Sequence, residues 1–379
     1  MHPYLSYVTA QQKQIIAFIK ELVECESPTD APAEVNHFVD LLISHTGDIA
    51  VAKRIKAKRF GDHLRLEFKL PGGRKEGQIL GLGHSDTVWP MGTLRHMPFR
   101  LSKGRLWGPG ALDMKSGLAF FITAARTLRE LDIPVNRKIA LLVVSDEEVG
   151  SPTSRQVTEV EAKRSNAVLV LEPGTGLTGK LKTARKGIGH YIVSIEGRAA
   201  HAGVDFDNGA SAILEAAKQI EKISALTNRE RGITVNPGVV SGGTRSNVVA
   251  AEARIEVDAR AVRMQDTETV DRKLKALRPV DKRCKVQVEG GLNRPPMERT
   301  KAIARLFTQA QEIGTQLGLT LEESSTGGGS DGNFTAALGV PTLDGLGGVG
   351  EGAHAANENI LVDCIADRVT LLVGLLSNL

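Results

Sequence analysis

The sequence predicts an α/β catalytic domain, a mixed and mostly parallel sheet with helices on both faces, interrupted by an inserted α+β domain of ferredoxin-like βαββαβ type. Three observations predict it. The runs Ile79 to Gly83, Ile139 to Val144 and Ala167 to Leu171 are continuously apolar, as strands covered on both faces are. Segments of helical spacing flank them. Between Tyr191 and Val288 the patterns run strand, helix, strand, strand, helix, strand, which is the split βαββαβ order. A chain of 379 residues has room for about two or three domains.

Along the chain, Ile15, Phe18, Ile19 and Leu22 keep the i, i+3, i+4, i+7 rule, with Thr9 and Gln12 set as a capping box ahead of them. Val35, Phe38, Val39 and Leu42 repeat it, and Gly47 supplies a stop. Gly117 to Leu131 reads as a helix between the first two buried strands. In the middle, Tyr191, Val193 and Ile195 alternate with polar or smaller neighbours, and Ala210 to Leu226 is helical. Ile233 and Val235 open a further strand. Ala253, Ile255, Val257 and Ala259 alternate strictly with Glu252, Arg254, Glu256, Asp258 and Arg260, the mark of a half-buried strand. Val270, Leu274 and Leu277 give a helix, and Cys284, Val286 and Val288 a last strand. Arg185 to Gly189 and Leu292 to Pro296 read as hinges. They divide the chain into residues 1–186, an inserted 187–296, and 297–379. Helical spacing returns at Ile303, Leu306, Phe307 and Ala310, and from Ile365 to Leu376.

Composition narrows the function. With 41% hydrophobic and 24% charged residues, the chain suits a soluble protein with a sizeable core, and no apolar run approaches the ~18 residues of a membrane span. The N-terminus has neither an apolar h-region nor a cleavage site, which predicts a cytoplasmic protein; a secreted form whose signal had been removed would read the same. A net charge of +4 without a basic stripe, and 4% aromatics, argue against nucleic acid as a partner. Cys25, Cys284 and Cys364 are odd in number and far apart, so neither a disulfide framework nor a thiolate zinc site is expected.

The buried strands end in chemistry. Gly83 is followed by His84, Ser85 and Asp86; Val144 by Ser145, Asp146, Glu147 and Glu148; Leu171 by Glu172. Open α/β sheets carry their sites at these strand ends. Two more candidates sit among glycines: Asp113 just before a helix, and His354 after Gly350 and Gly352. His37, His45 and His63 are assigned to the solvated background. Imidazoles and carboxylates without thiolates suit zinc, cobalt or manganese, and two such ions ~3.5–4 Å apart can share a carboxylate and a water. Two divalent ions against Asp113, Glu148 and Glu172 leave one positive charge, which a bridging hydroxide would cancel. Glu147 is then left over as a general base for that water, and Asp86 is placed to accept the imidazole N–H of His84.

The blocks Gly83-His84-Ser85-Asp86-Thr87-Val88, Gly110 to Gly117, Asp146-Glu147-Glu148-Val149-Gly150-Ser151, Glu172-Pro173 and Gly352-Ala353-His354 resemble those of the co-catalytic di-zinc peptidases and deacylases. That family includes glutamate carboxypeptidase, acetylornithine deacetylase, succinyl-diaminopimelate desuccinylase and aminoacylase, and the likeness is strongest to the first. The resemblance implies two zinc ions per subunit, with cobalt or manganese as substitutes. It implies His84 and Glu172 on one ion, Glu148 and His354 on the other, Asp113 bridging, Glu147 as base and a cis peptide after Asp113. It also implies that the inserted domain is a lid that pairs two subunits, so that His201 reaches the partner's site to stabilise the oxyanion.

The substrate implied is a small peptide or N-acyl amino acid, cleaved to release a C-terminal residue such as glutamate. N-acyl-amino-acid deacylation of the acetylornithine or desuccinylase kind, and dipeptide hydrolysis, stay open. By the same resemblance Arg294 matches an arginine that grips the C-terminal carboxylate, and Asn247 with Arg260 a second lid pair facing the cleft. The backbone N–H groups of Gly328 and Gly329 offer a nest for that carboxylate. Two rivals remain. Gly328 to Gly332 matches G-x-S-x-G around Ser330, with Asp344 and His354 following in serine-hydrolase order. Gly345 to Gly350 matches G-x-G-x-x-G, but too little chain follows for a dinucleotide fold. A non-catalytic metal-binding scaffold is a third class, and the presence of Glu147 argues against it.

Overall fold

In a computed structural model, which describes residues 2–379, the three continuously apolar runs become neighbouring parallel strands. Gln78–His84 pairs in parallel with Lys138–Val144 on one side and Ala167–Val170 on the other. Thr342–Leu343 extends the parallel part, and Ala50–Ile55 and His63–Phe68 add an antiparallel edge, making six strands. The continuous apolarity has the expected cause. Leu141, Val143 and Leu169 pack in one cluster with the helices Ser116–Glu130 and Ile365–Asn378. Leu80, Leu142, Val144 and Val168 pack in another with Ala162 of the helix Arg155–Lys163. Alternate residues thus face opposite covered sides, and the three strands are buried except at Lys138, where one of them begins.

The described residues fall into two compact units. One runs to Thr183 and resumes at Arg299–Thr326 and Ser330–Leu379; the other is Ala184–Glu298 with Gly327–Gly329. In the second unit the strands lie in the order Thr234–Gly242, Glu252–Ala261, Gly187–Glu196, Lys285–Arg294, all neighbours antiparallel. The helices Ala212–Ser224 and Met264–Lys275 give Ala216, Ile223, Val270 and Leu274 to a core shared with Tyr191, Val193, Ile255 and Val257. This is the ferredoxin-like topology.

Two local expectations differ from the structure. Thr9 caps nothing: the N-terminal region forms two helices, Pro3–Ala10 and Gln12–Glu24, meeting at Gln11, and Thr9 lies in the last turn of the first. Pro3 presets that first helix, and the ring of His2 accepts the N–H of Tyr4 at its start. The segments expected as hinges are largely paired strand: Gly187–Gly189 and Leu292–Arg294 lie in the sheet, and Lys186, Pro295 and Pro296 lie outside any strand. Ile188 lies opposite Arg294, and Arg185 and Met297 exchange both backbone hydrogen bonds at 3.0 Å. No helix among the described residues is long and apolar enough to cross a membrane.

Candidate metal centre

Parallel strands present their carboxyl ends on one edge of the sheet, and the side chains that follow them arrive together. His84 ends its strand; Glu148 lies in the turn Glu147–Val149 after Lys138–Val144; Glu172 follows Val170 by two residues. Asp113 comes from the irregular turn Ala111–Lys115, with a cis peptide to Met114. The helix beginning at Ser116 is pressed onto the neighbouring strand end, because a Cβ on Gly117 would lie 2.1 Å from the carbonyl oxygen of Leu171. Only glycine allows that approach. His354 adopts φ 60°, a left-handed backbone uncommon for non-glycine residues and frequent at functional sites.

Two donor groups result, His84 with Asp113 and Glu172, and Asp113 with Glu148 and His354; the ligand atoms of each lie within 4.8 Å of one another. Asp113 belongs to both. Nε2 of His84 is 3.2 Å from Asp113 Oδ1 and 3.7 Å from Glu172 Oε1. Nε2 of His354 is 3.3 Å from Asp113 Oδ2 and 3.3 Å from Glu148 Oε2. The first group is closed, whereas the His354 side chain is 49% exposed, so the second opens to solvent.

The donor chemistry suits divalent cations. Every ligand is an imidazole nitrogen or a carboxylate oxygen, the set that zinc, cobalt and manganese accept. Oε1 of Glu148 is buried without a hydrogen-bond partner, which costs ~1–3 kcal/mol or more for a charged group unless a cation meets it. The cluster also attracts positive charge. Burial would lower His84, but hydrogen bonds to Asp113 and Asp86 and their charges win and raise it well above its ordinary value. His354 is pushed up to about 10 by its hydrogen bonds to Asp113 and Glu148. Burial opposes ionisation of Asp113, yet the two imidazoles hold it far below the usual carboxylate range.

Asp86 acts differently from the expectation. Nδ1 of His84 faces the Asp86 backbone carbonyl at 2.8 Å, nearer than the carboxylate Oδ1 at 3.6 Å. The carboxylate is engaged elsewhere: it accepts the Thr29 hydroxyl at 2.8 Å and the N–H groups of Glu147 and Glu148 at 3.3 and 3.2 Å. One residue therefore orients the imidazole through its main chain and the Glu147–Glu148 turn through its side chain. Glu147 lies in that turn, half-buried, and in neither donor group. His63 is packed rather than solvated: buried at the head of its strand, its Nδ1 accepts the N–H of Ser145 at 3.2 Å.

Within the second unit, His201 and Asn247 are both exposed and adjacent, for Ala202 donates its N–H to the Asn247 carbonyl at 3.0 Å. Arg294 is buried at the end of its strand and donates to Asn293 Oδ1 at 3.0 Å. A Cβ on Gly329 would lie 2.8 Å from its Cδ, so the glycine loop rests directly on this arginine. The guanidinium of Arg260 is engaged by both oxygens of Asp258, at 2.9 and 3.1 Å, and by the Gly327 carbonyl at 2.9 Å. Arg185, read from sequence only as part of a hinge, donates to the carbonyls of Gly328 and Gly329 at 3.2 and 2.9 Å.

The rival motifs have structural roles. Ser330 is fully buried and donates its hydroxyl to Asp344 Oδ2 at 2.7 Å, while the His354 ring faces Asp113 and Glu148; Ser330 and His354 do not pair, and the nucleophile reading falls. Gly345 to Gly350 leads into the short strand Gly350–Glu351 and not into a helix. Its backbone is tied to Val170 and Glu172 and held by the guanidinium of buried Arg368. Glu358, which no motif in the sequence marks, is buried beside the Asp113 turn.

Residues 82–378 match the family described as Peptidase family M20/M25/M40. Carboxypeptidase G2 of Pseudomonas sp. (strain RS-16) is 28% identical over 383 aligned positions, spanning 98% of this chain and 90% of that protein. Succinyl-diaminopimelate desuccinylase of Beijerinckia indica is 28% identical over 357 positions, 85% of this chain and 91% of that protein. Among solved structures, aminopeptidase PepT of Bacillus cereus superposes with a TM-score of 0.77 at 26% identity, covering 97% of this chain and 98% of that one.

Proposed function

This chain belongs to the peptidase M20/M25/M40 family, and from that membership we propose that it is a two-zinc amidohydrolase of carboxypeptidase type, releasing a C-terminal amino acid such as glutamate from small peptidyl or N-acyl substrates. It is a metallohydrolase by family; the metal, the substrate and the residue roles are the proposal. The observation that carries it is the sharing of Asp113 by two donor groups, each completed by one imidazole and one further carboxylate.

His84, Asp113 and Glu172 would hold one ion and Asp113, Glu148 and His354 the other. Two divalent cations held there would supply Lewis-acid chemistry, polarising the scissile carbonyl and favouring deprotonation of the attacking water. Glu147 takes the proton of that water on its carboxylate and returns it to the leaving nitrogen. Asp86 keeps Glu147 in place by accepting its N–H. Arg294 grips the substrate carboxylate, with the loop at Gly328 and Gly329 beside it. Asn247 and Arg260 are secondary contacts, and Arg260 would have to exchange Asp258 for substrate. His201, exposed on its turn, donates to the oxyanion of a partner subunit's substrate in a homodimer. The exposed Val239 and Val240 on the outer strand Thr234–Gly242 support such pairing. The odd, widely spaced cysteines support a cytoplasmic setting.

A second reading, N-acyl-amino-acid deacylase, is favoured by the similarity to a desuccinylase over 85% of the chain. A panel of peptidyl and N-acyl amino acids, each as free acid and as amide, separates the two. The carboxypeptidase reading expects C-terminal glutamyl substrates to lead and amides to fail. Arg294→Ala should cost the free acids heavily and the amides little, with Lys rescuing only in part because the bidentate fork is lost. Equal losses on acids and amides would remove Arg294 from carboxylate binding.

A further inference from the structure

We propose that Glu358 is the positioning residue of the shared ligand, fixing the backbone that aims Asp113 between the two donor groups. This rests on reading the cluster as a metal centre. Glu358 has no solvent exposure. Its Oε1 accepts the N–H of Leu112 at 2.8 Å and of Asp113 at 3.0 Å; its Oε2 accepts the N–H of Gly110 at 2.8 Å and the indole N–H of Trp89 at 2.8 Å. Four donors on two oxygens match an ionised carboxylate, which is acceptor-only.

The arrangement answers a geometric need. Gly110 lies at φ 72° and Asp113 at φ −116°, ψ 94°, so the turn lacks the regular helical ladder that would otherwise hold it. The N–H groups of Gly110, Leu112 and Asp113 converge on Glu358 instead, and charge-assisted bonds of this kind are the strong ones. A rotation of the 112–113 peptide would swing both carboxylate oxygens of Asp113 and disturb both groups at once. Glu358 also lies four residues beyond His354, and its own N–H donates to the Ala355 carbonyl at 2.9 Å. Through Trp89 it reaches the segment that follows His84 and Asp86. One buried side chain thus links the three segments that carry His84, Asp113 and His354.

The test is zinc affinity, measured by competition with a chromophoric chelator on wild type, Glu358→Gln, Glu358→Asp and Trp89→Phe, alongside thermal unfolding of each metal-free protein. Glu358→Gln turns an amide NH₂ toward two N–H donors and should weaken zinc binding ~10–100-fold, the usual range for residues that support ligands. Trp89→Phe removes the one donor outside the Asp113 turn and should weaken zinc less than either Glu358 variant. Should Glu358→Gln not fold, Glu358→Asp carries the test, since it keeps the charge but withdraws both oxygens by one methylene. Wild-type affinity in a folded Glu358→Gln or Glu358→Asp overturns the proposal, as does an equal loss in Trp89→Phe. Wild type that binds no divalent ion ends the metal reading and this proposal together; wild type that binds zinc while the Glu358 variants match it ends this proposal alone.

Discussion

Nε2 of His354 stands 3.3 Å from Oδ2 of Asp113, on the side of the cluster that solvent reaches, while the other oxygen of Asp113 serves buried His84. Loss of Asp113 should therefore be felt in both groups and loss of His354 in one. Elemental analysis should find Asp113→Ala depleted at both positions and His354→Ala retaining about one ion. Chelators should abolish amide hydrolysis, with zinc, cobalt or manganese restoring it. Full activity with only trace metal would falsify the metal mechanism.

Glu147 lies beside the donor groups without joining either, so base and ligand roles are separable. Glu147→Gln should keep its metal and lose roughly 10²–10⁴-fold in turnover. Near-normal turnover would remove Glu147 from the mechanism, and loss of metal would make it a ligand.

His201 in trans predicts complementation. Glu147→Ala and His201→Ala, each inactive, should regain activity when mixed into hybrid dimers, because one of the two sites then has both an intact Glu147 and a partner's His201. An oxyanion donor is worth ~10²–10³-fold in turnover, so the recovery should stand clear of background. A verified hybrid that stays inactive, or an enzyme monomeric at assay concentration, ends the proposal.

His63 predicts a pH effect on stability. Burial lowers it from its ordinary value of 6.5, against the charges of Asp146, Asp86 and Asp62, and a proton on Nδ1 would displace the Ser145 N–H. The unfolded chain then binds a proton that the folded chain refuses, so stability falls as pH drops through and below 6.5. His63→Asn, whose Oδ1 can accept the same N–H, should lose less between pH 7 and 5 in thermal unfolding. The comparison between the two proteins cancels the ligand cluster's own titration. Parallel pH profiles would show that His63 contributes nothing.

The sheet and the second unit were legible because burial writes a period into the chain: continuous where both faces are covered, alternating where one is. The edge strand Ala50–Ile55 was not, since a strand carrying Lys53 and Arg54 has no apolar run to announce it. The convergence of His84, Asp113, Glu148, Glu172 and His354 was legible from their places at strand ends and among glycines. Glu358 was not, because its role lies in accepting main-chain N–H groups from residues about 245 positions away, and main-chain donors carry no side-chain signature. Asp86 was half legible: His84 does turn toward this residue, but the backbone carbonyl stands in the place expected of the carboxylate.

The backbone pair between Arg185 and Met297 lies just inside the ends of Ala184–Glu298 and makes that stretch a cassette. A pair that exchanges both hydrogen bonds has Cα atoms ~5.5 Å apart, so the points where this module leaves and rejoins the chain are neighbours. Modules whose termini meet in this way can be inserted, lengthened or exchanged with little loop-closure cost to the host. Evolution could therefore change the inserted module while the strand ends that carry His84, Glu148 and Glu172 stay untouched.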